Sequence, residues 1–194
     1  WDELPAHVRG ELERFLDCGV LAHGFVRVVC PSCKDDLLVA FSCKGRGVCS
    51  SCGGRRMAET AARWVGGVLP RVPFRQWVLS LPMALRYRLA WDPALLTQTL
   101  SVFQGAVAMR LRSKAARRGL RGSEFASVTV VQRFGSALNL NVHFHSLVAD
   151  GVWVCDDEGP PRFVRLGVTD ADVAWVAARI ERRMGVVLSR RGLV

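Results

Sequence analysis

The chain is expected to fold as an α+β protein: an antiparallel sheet with helices on its apolar face, preceded by a small cysteine-rich, zinc-ribbon-like domain. Three observations predict this. Six of the seven cysteines crowd between residues 18 and 52, which marks a stapled subdomain. Beyond them, β-branched or alternating runs recur between turn signals and read as strands. Two further stretches repeat apolar residues at helical spacing, each behind an aspartate suited to a cap. Pro70 and Pro73 punctuate the chain, so the expected domains are 1–70 and 71–194.

Residues 2–18 read as a helix, with Leu4, Val8, Leu12 and Phe15 on one stripe and Gly19 as the stop. Phe25–Val29 and Leu37–Phe41 are short β-like runs. A second helix is expected from Gly53, with Met57, Ala61, Trp64, Val65 and Val68 as its apolar face. The strand Gln76–Leu81 ends at Pro82. Asp92-Pro93 pairs a cap residue with proline in the first turn, and Leu96, Leu100, Phe103, Val107 and Leu111 follow at helical spacing. Ser127–Gln132 and Asn139–Ala149 are the next strands, and Val152–Cys155 continues the meander. Residues 156–162 read as an acidic loop, and Asp170 as the cap of a last helix with Val173, Val176, Ile180 and Met184 inward.

The formal net charge is +10, carried mostly by arginine. Arginine reads phosphate bidentately and stays charged everywhere, which favours a nucleic-acid partner. The stretch RLRSKAARRGLR is the expected backbone footprint, through Arg110, Arg112, Lys114, Arg117, Arg118 and Arg121, with Arg55 and Arg56 adding to it. A solvated helix end is the plain alternative. No apolar run approaches the roughly 20 residues of a membrane span. The acidic opening Trp1-Asp2-Glu3 is unlike a signal peptide, so a cytoplasmic, nucleoid-associated protein is expected. The missing initial methionine and abrupt end suggest a piece of a longer protein.

Cys30-Pro-Ser-Cys33 and Cys49-Ser-Ser-Cys52 are two C-x2-C pairs fifteen residues apart, a spacing suited to one structural zinc. Cys18 and Cys43 are alternative members of the set, or, with His23, parts of a second site. Farther on, NLNVHFHSLVAD puts Asn139, Asn141, His143 and His145 on one strand face and Leu140, Val142 and Phe144 on the other. Two imidazoles at i and i+2 can reach one cation; a solvated strand face competes with that reading.

The segment RFGSALNLNVHFHSLVADGVW resembles the His-hydrophobic-His motif of HUH endonucleases, specifically the rolling-circle IS91-type transposases. CGVLAHGFVRVVCPSC, FSCKGRGVCSSCGGRRMAE, LPRVPFRQWVLSLP and VTVVQRFGSALNLN resemble the same family, in order along nearly the whole chain. The resemblance implies an HUH nuclease core in which His143 and His145 hold Mg2+ or Mn2+ at a phosphate of single-stranded DNA. Asn141 and Gln132 are the candidates for a third ligand. It also implies a tyrosine nucleophile and a phosphotyrosine intermediate. The one tyrosine, Tyr87, precedes the motif and reads as a packing residue, so the nucleophile is expected to be missing from this chain. The competing expectation is a non-catalytic zinc-ribbon DNA-binding protein or the remnant of a mobile element.

Overall fold

A proline before the first helix and paired glycine turns after it shape the start of the chain. The computed structural model describes residues 4–45, 48–137, 139–155 and 159–193. Contacts divide the chain into two units, Trp1–Pro70 and Arg71–Val194. In the first, α1 (Ala6–Leu16) starts after Pro5 and ends ahead of Gly19, whose φ of 82° takes the left-handed turn that favours glycine. Residues 2 and 3 of the expected helix lie outside the described residues. β1 (Phe25–Val29) and β2 (Asp36–Ala40) form an antiparallel hairpin pairing Phe25 with Ala40 and Val29 with Asp36.

α2 (Ser50–Arg63) begins earlier than the glycine pair suggested. The Cys49 sulfur accepts the Cys52 N–H at 3.5 Å and so caps the helix ahead of Gly53. A π-helical turn, Trp64–Val68, closes the unit before Pro70. Among the described residues of this unit, Cys49 alone is a buried apolar side chain.

The second unit carries the core. β3 (Phe74–Ser80), β4 (Ser127–Phe134) and β5 (Leu140–Ala149) form an antiparallel sheet in the order β3–β5–β4, which places β5 at the centre. Two helices precede β4: α3 (Met83–Trp91) and α4 (Pro93–Arg117). The Asp92 carboxylate accepts the Leu95 N–H at 2.9 Å, so the Asp-Pro start behaves as its chemistry requires. β6 (Gly151–Val154) pairs with β7 (Arg162–Arg165), and α5 (Asp170–Arg190) ends the unit.

Alternation along β5 decides what the sheet does. Val142, Phe144 and Val148 are buried in one cluster with Phe103, Val107 and Leu111 of α4 and Val176, Ile180 and Met184 of α5. The Phe103 and Phe144 rings lie 6.4 Å apart. The odd-numbered residues Asn141, His143 and His145 are left half-buried on the opposite face. The sequence did not announce α3 or β7, and residues 156–158 of the expected acidic loop lie outside the described residues.

Candidate metal centres and basic surface

Four sulfurs converge in the first unit, those of Cys18, Cys43, Cys49 and Cys52, all within 4.8 Å of one another. Cys18 lies 3.6 Å from both Cys52 and Cys49, and Cys43 lies 3.6 Å from Cys52. A tetrahedral zinc with Zn–S bonds near 2.3 Å needs sulfurs about 3.8 Å apart, so the cage fits. Backbone geometry builds it: the Gly19 N–H donates to the Phe41 carbonyl at 3.0 Å, which brings the end of α1 beside the end of β2. The Arg56 guanidinium donates to the Lys44 carbonyl at 3.1 Å and ties down the loop after Cys43.

The thiols share charge unequally before any metal is counted. The Cys43 backbone N–H favours the Cys18 thiolate, but hydrogen bonding with Cys49 and burial prevail and push its pKa up to about 12. Burial opposes ionisation of Cys52 as well, yet hydrogen bonds from Cys43 and Cys18 hold its pKa down to about 7. Zinc would displace the thiol protons as the four sulfurs ligate.

Cys30 and Cys33, expected to join Cys49 and Cys52, are not in this cage. They occupy the tip of the β1–β2 hairpin, whereas Cys18 and Cys43 flank its base. Five strand residues separate tip from base, roughly 16 Å at 3.3 Å per residue, too far for a shared ion. His23 instead meets Asp17 at 3.1 Å.

The histidine face belongs to the second unit. Antiparallel register sets Ser80 of β3 and Gln132 of β4 on either side of His143, and Val78 and Val130 on either side of His145. Residues paired in this way project to the same face. The two imidazoles lie edge to face with centroids 4.8 Å apart. Nδ1 of His143 lies 2.6 Å from the Asn141 carbonyl, which accepts but cannot donate. Nδ1 therefore carries the proton, and Nε2 presents its lone pair.

Gln76 meets Nδ1 of His145 at 2.7 Å. The atom placed there is the amide Nε2, a donor that would leave the ring proton on His145 Nε2. Only the flipped carboxamide, with Oε1 toward Nδ1, accepts the Nδ1 proton and frees the ring Nε2 for a metal. The Asn141 Oδ1 is buried and has no hydrogen-bond partner, a situation that costs about 1–3 kcal/mol unless something fills it. None of the strand residues on this face is acidic. Gln76 and Ser80 were not singled out from the sequence, because only the register reveals that they flank the histidines.

The basic stretch divides on inspection. Arg110 and Lys114 reach the buried Asp172 carboxylate at 2.6 and 2.5 Å, and are committed to holding α4 against the start of α5. Arg118 donates to the Arg165 and Leu166 carbonyls at 2.9 and 3.0 Å. Arg112 pairs with Glu124 at 2.9 Å on the surface. Arg117, Arg121 and Arg55 are exposed. The expected footprint thus loses Arg110 and Lys114 to internal structure, since a buried carboxylate demands paired cations.

Comparison with known families bears on both units. A family described as "Transposase zinc-binding domain" matches residues 2–81, and one described as "Putative transposase" matches residues 126–182. Together the two matches support an IS91-type transposase. The first match spans the four-cysteine cage of this transposase and runs on through β3. The second spans β4 to most of α5, with both histidines inside it. No curated protein and no solved structure matches the chain. Zinc in the transposase is structural: four sulfurs fill a tetrahedron and leave no open position. Among the described residues no helix is long and apolar enough to cross a membrane.

Proposed function

We propose that residues 71–194 form an HUH-type nuclease core that nicks and rejoins single-stranded DNA through a phosphotyrosine intermediate. One observation carries this reading: the hydrogen bond from His143 Nδ1 to the Asn141 carbonyl turns Nε2 outward as a ligand, beside a second imidazole. Gln76 orients His145, and the unpaired Oδ1 of Asn141 or the carboxamide of Gln132 offers an oxygen suited to Mg2+ or Mn2+. Every such donor is neutral. A divalent ion bound there would keep its full charge for polarising a scissile phosphate.

The chain's own residues supply position and charge. Arg117, Arg121 and Arg55 would meet backbone phosphates, with Arg112 available once released from Glu124. In the reaction a tyrosine oxygen bonds to phosphorus as the bond to the 3′ oxygen breaks. That leaves a 5′-phosphotyrosine and a 3′-hydroxyl able to reverse the step on a new strand. Tyr87 is exposed rather than packed, its ring 6.3 Å from that of the likewise exposed Trp91, and because it precedes the histidine motif this reading does not assign it as the nucleophile. The 194 residues hold no other tyrosine, so the nucleophile in this reading comes from outside them. That lack also favours a second reading, in which the chain binds DNA without cutting it.

Calorimetry with Mn2+ separates the two. The intact chain is expected to bind Mn2+, and His143→Ala with His145→Ala to abolish binding while zinc content and folding persist. Gln76→Ala should weaken Mn2+ binding by about 10–100-fold as the loss of a ligand-orienting group. Absence of divalent-ion binding to the unmodified chain would leave the DNA-binding reading standing and the nuclease reading without its site.

A further inference from the structure

Cys30 and Cys33 are left over from the cage, yet their surroundings are those of a built half-site. The Cys30 N–H donates to the Asp35 carbonyl at 2.8 Å, and the Lys34 N–H donates back to the Cys30 carbonyl at 3.0 Å. Lys34 takes a φ of 66°, a left-handed conformation uncommon for a residue with a side chain. This is a tight knuckle of the kind that aims two sulfurs one way. Cys33 is exposed and Cys30 half-buried, and neither is in a disulfide. No third His, Cys, Asp or Glu atom of the described residues joins them in a ligand cluster. Zinc asks for four ligands, and the pair supplies two.

A second observation concerns the hairpin that carries the knuckle. Register and alternation put Val26 and Val28 of β1 with Leu37 and Val39 of β2 on one face. All four are between 44% and 64% exposed, so an entirely apolar sheet face stands uncovered. Cys30 continues the alternation of Val26 and Val28 onto that same face. A face of four side chains buries on the order of a few hundred Å2 per copy, below the roughly 800 Å2 per partner of a stable interface. Apolar contact alone would not hold a dimer; contact plus a shared ion would.

We propose that the Cys30–Cys33 pair is half of a second zinc site, completed by the same pair from a second copy of this chain. A two-fold axis running along the hairpin lays the two Val26, Val28, Leu37 and Val39 faces together and brings the two tips side by side. Four thiolates then close one tetrahedron, and each sulfur gives up its proton to solvent as it ligates. The contact is isologous, so it ends at two copies and does not propagate. Because the ion contributes most of the holding energy, dimerisation is a function of zinc.

The stoichiometry is distinctive. One internal zinc per chain plus one shared ion gives about three zinc ions per two chains. Native mass spectrometry of the zinc-loaded full chain, alongside light scattering, is expected to show that dimer, reverting to monomer when a chelator is added. Cys30→Ser with Cys33→Ser should give a monomer with about one zinc and an unchanged far-ultraviolet circular dichroism spectrum. A monomer holding one zinc, a monomer holding two, or a dimer that survives the double substitution would each overturn the proposal. The ratio in the unmodified chain decides the matter even if the variant does not fold.

Discussion

Asp172 is buried on the inner side of the α5 start, where four donors converge on it. Arg110 and Lys114 approach from α4, and the Thr169 N–H and hydroxyl donate at 2.8 and 3.0 Å from the cap itself. Burial alone would raise its pKa, but the hydrogen bonds from Lys114, the Thr169 N–H and Arg110 outweigh it and hold the carboxyl well below the usual range. A depressed folded-state pKa means stability that is fully present above the unfolded value near 3.9 and is lost as pH falls toward the folded value. Asp172→Asn should therefore cost about 3 kcal/mol at neutral pH, the penalty of leaving two cations half-buried without their anion. Urea unfolding from about pH 7 down to about pH 2 should show a constant gap between variant and parent to about pH 4 and a closing gap below it. A gap independent of pH would mean that shape, not charge, is what Asp172 supplies. The same geometry explains why a basic run in the sequence overstates the free positive surface: two of its cations answer to an aspartate 58 and 62 residues away.

Elements with strong local chemistry were legible, and those defined by their neighbours were not. The Asp92-Pro93 start and the apolar spacing of α4 announce a helix because cap and periodicity agree. α3 has neither: it starts after Pro82 with no side-chain cap and buries only Leu89, so it reads as connection. β7 spans four residues and exists because β6 pairs with it, Gly151 opposite Arg165 and Val154 opposite Arg162. That hairpin depends on a close backbone approach. A Cβ on Gly151 would stand 2.2 Å from the Val164 carbonyl oxygen and 2.9 Å from the Arg165 Cα, with backbone on both counts. Neighbouring Asp150 receives Arg75, Arg165 and the Val168 N–H, so the hairpin cannot shift cheaply. Gly151→Ala should lower stability by about 3 kcal/mol, the upper range for overpacking, read from the denaturant midpoint at unchanged slope. A neutral outcome would show that β7 does not lie where the register puts it. The histidine strand was legible for the opposite reason, since its alternation separates histidine face from core face without reference to other strands; its flanking Gln76 and Ser80 needed the register.

At the scale of the molecule, the two units are held by different physics. The buried apolar cluster lies wholly in Arg71–Val194, whereas Trp1–Pro70 buries only Cys49 among its described apolar residues. That contrast also explains what the sequence left open about the cysteines. Two C-x2-C knuckles look alike locally, and which four sulfurs meet depends on a hairpin that separates Cys30 and Cys33 from the rest. A unit of this size without a core cannot offset its chain entropy by burial; its folding energy must come through the cage, as in domains unfolded without their metal. The second unit has no such dependence. Stripping zinc with a strong chelator should therefore abolish hydrogen-exchange protection in β1, β2 and α2 while leaving α4, β5 and α5 protected as before. Restoring zinc should restore the first set. Persistent protection of α2 in the stripped chain would show that packing suffices there, and joint loss of protection in β5 would show that the units do not fold independently.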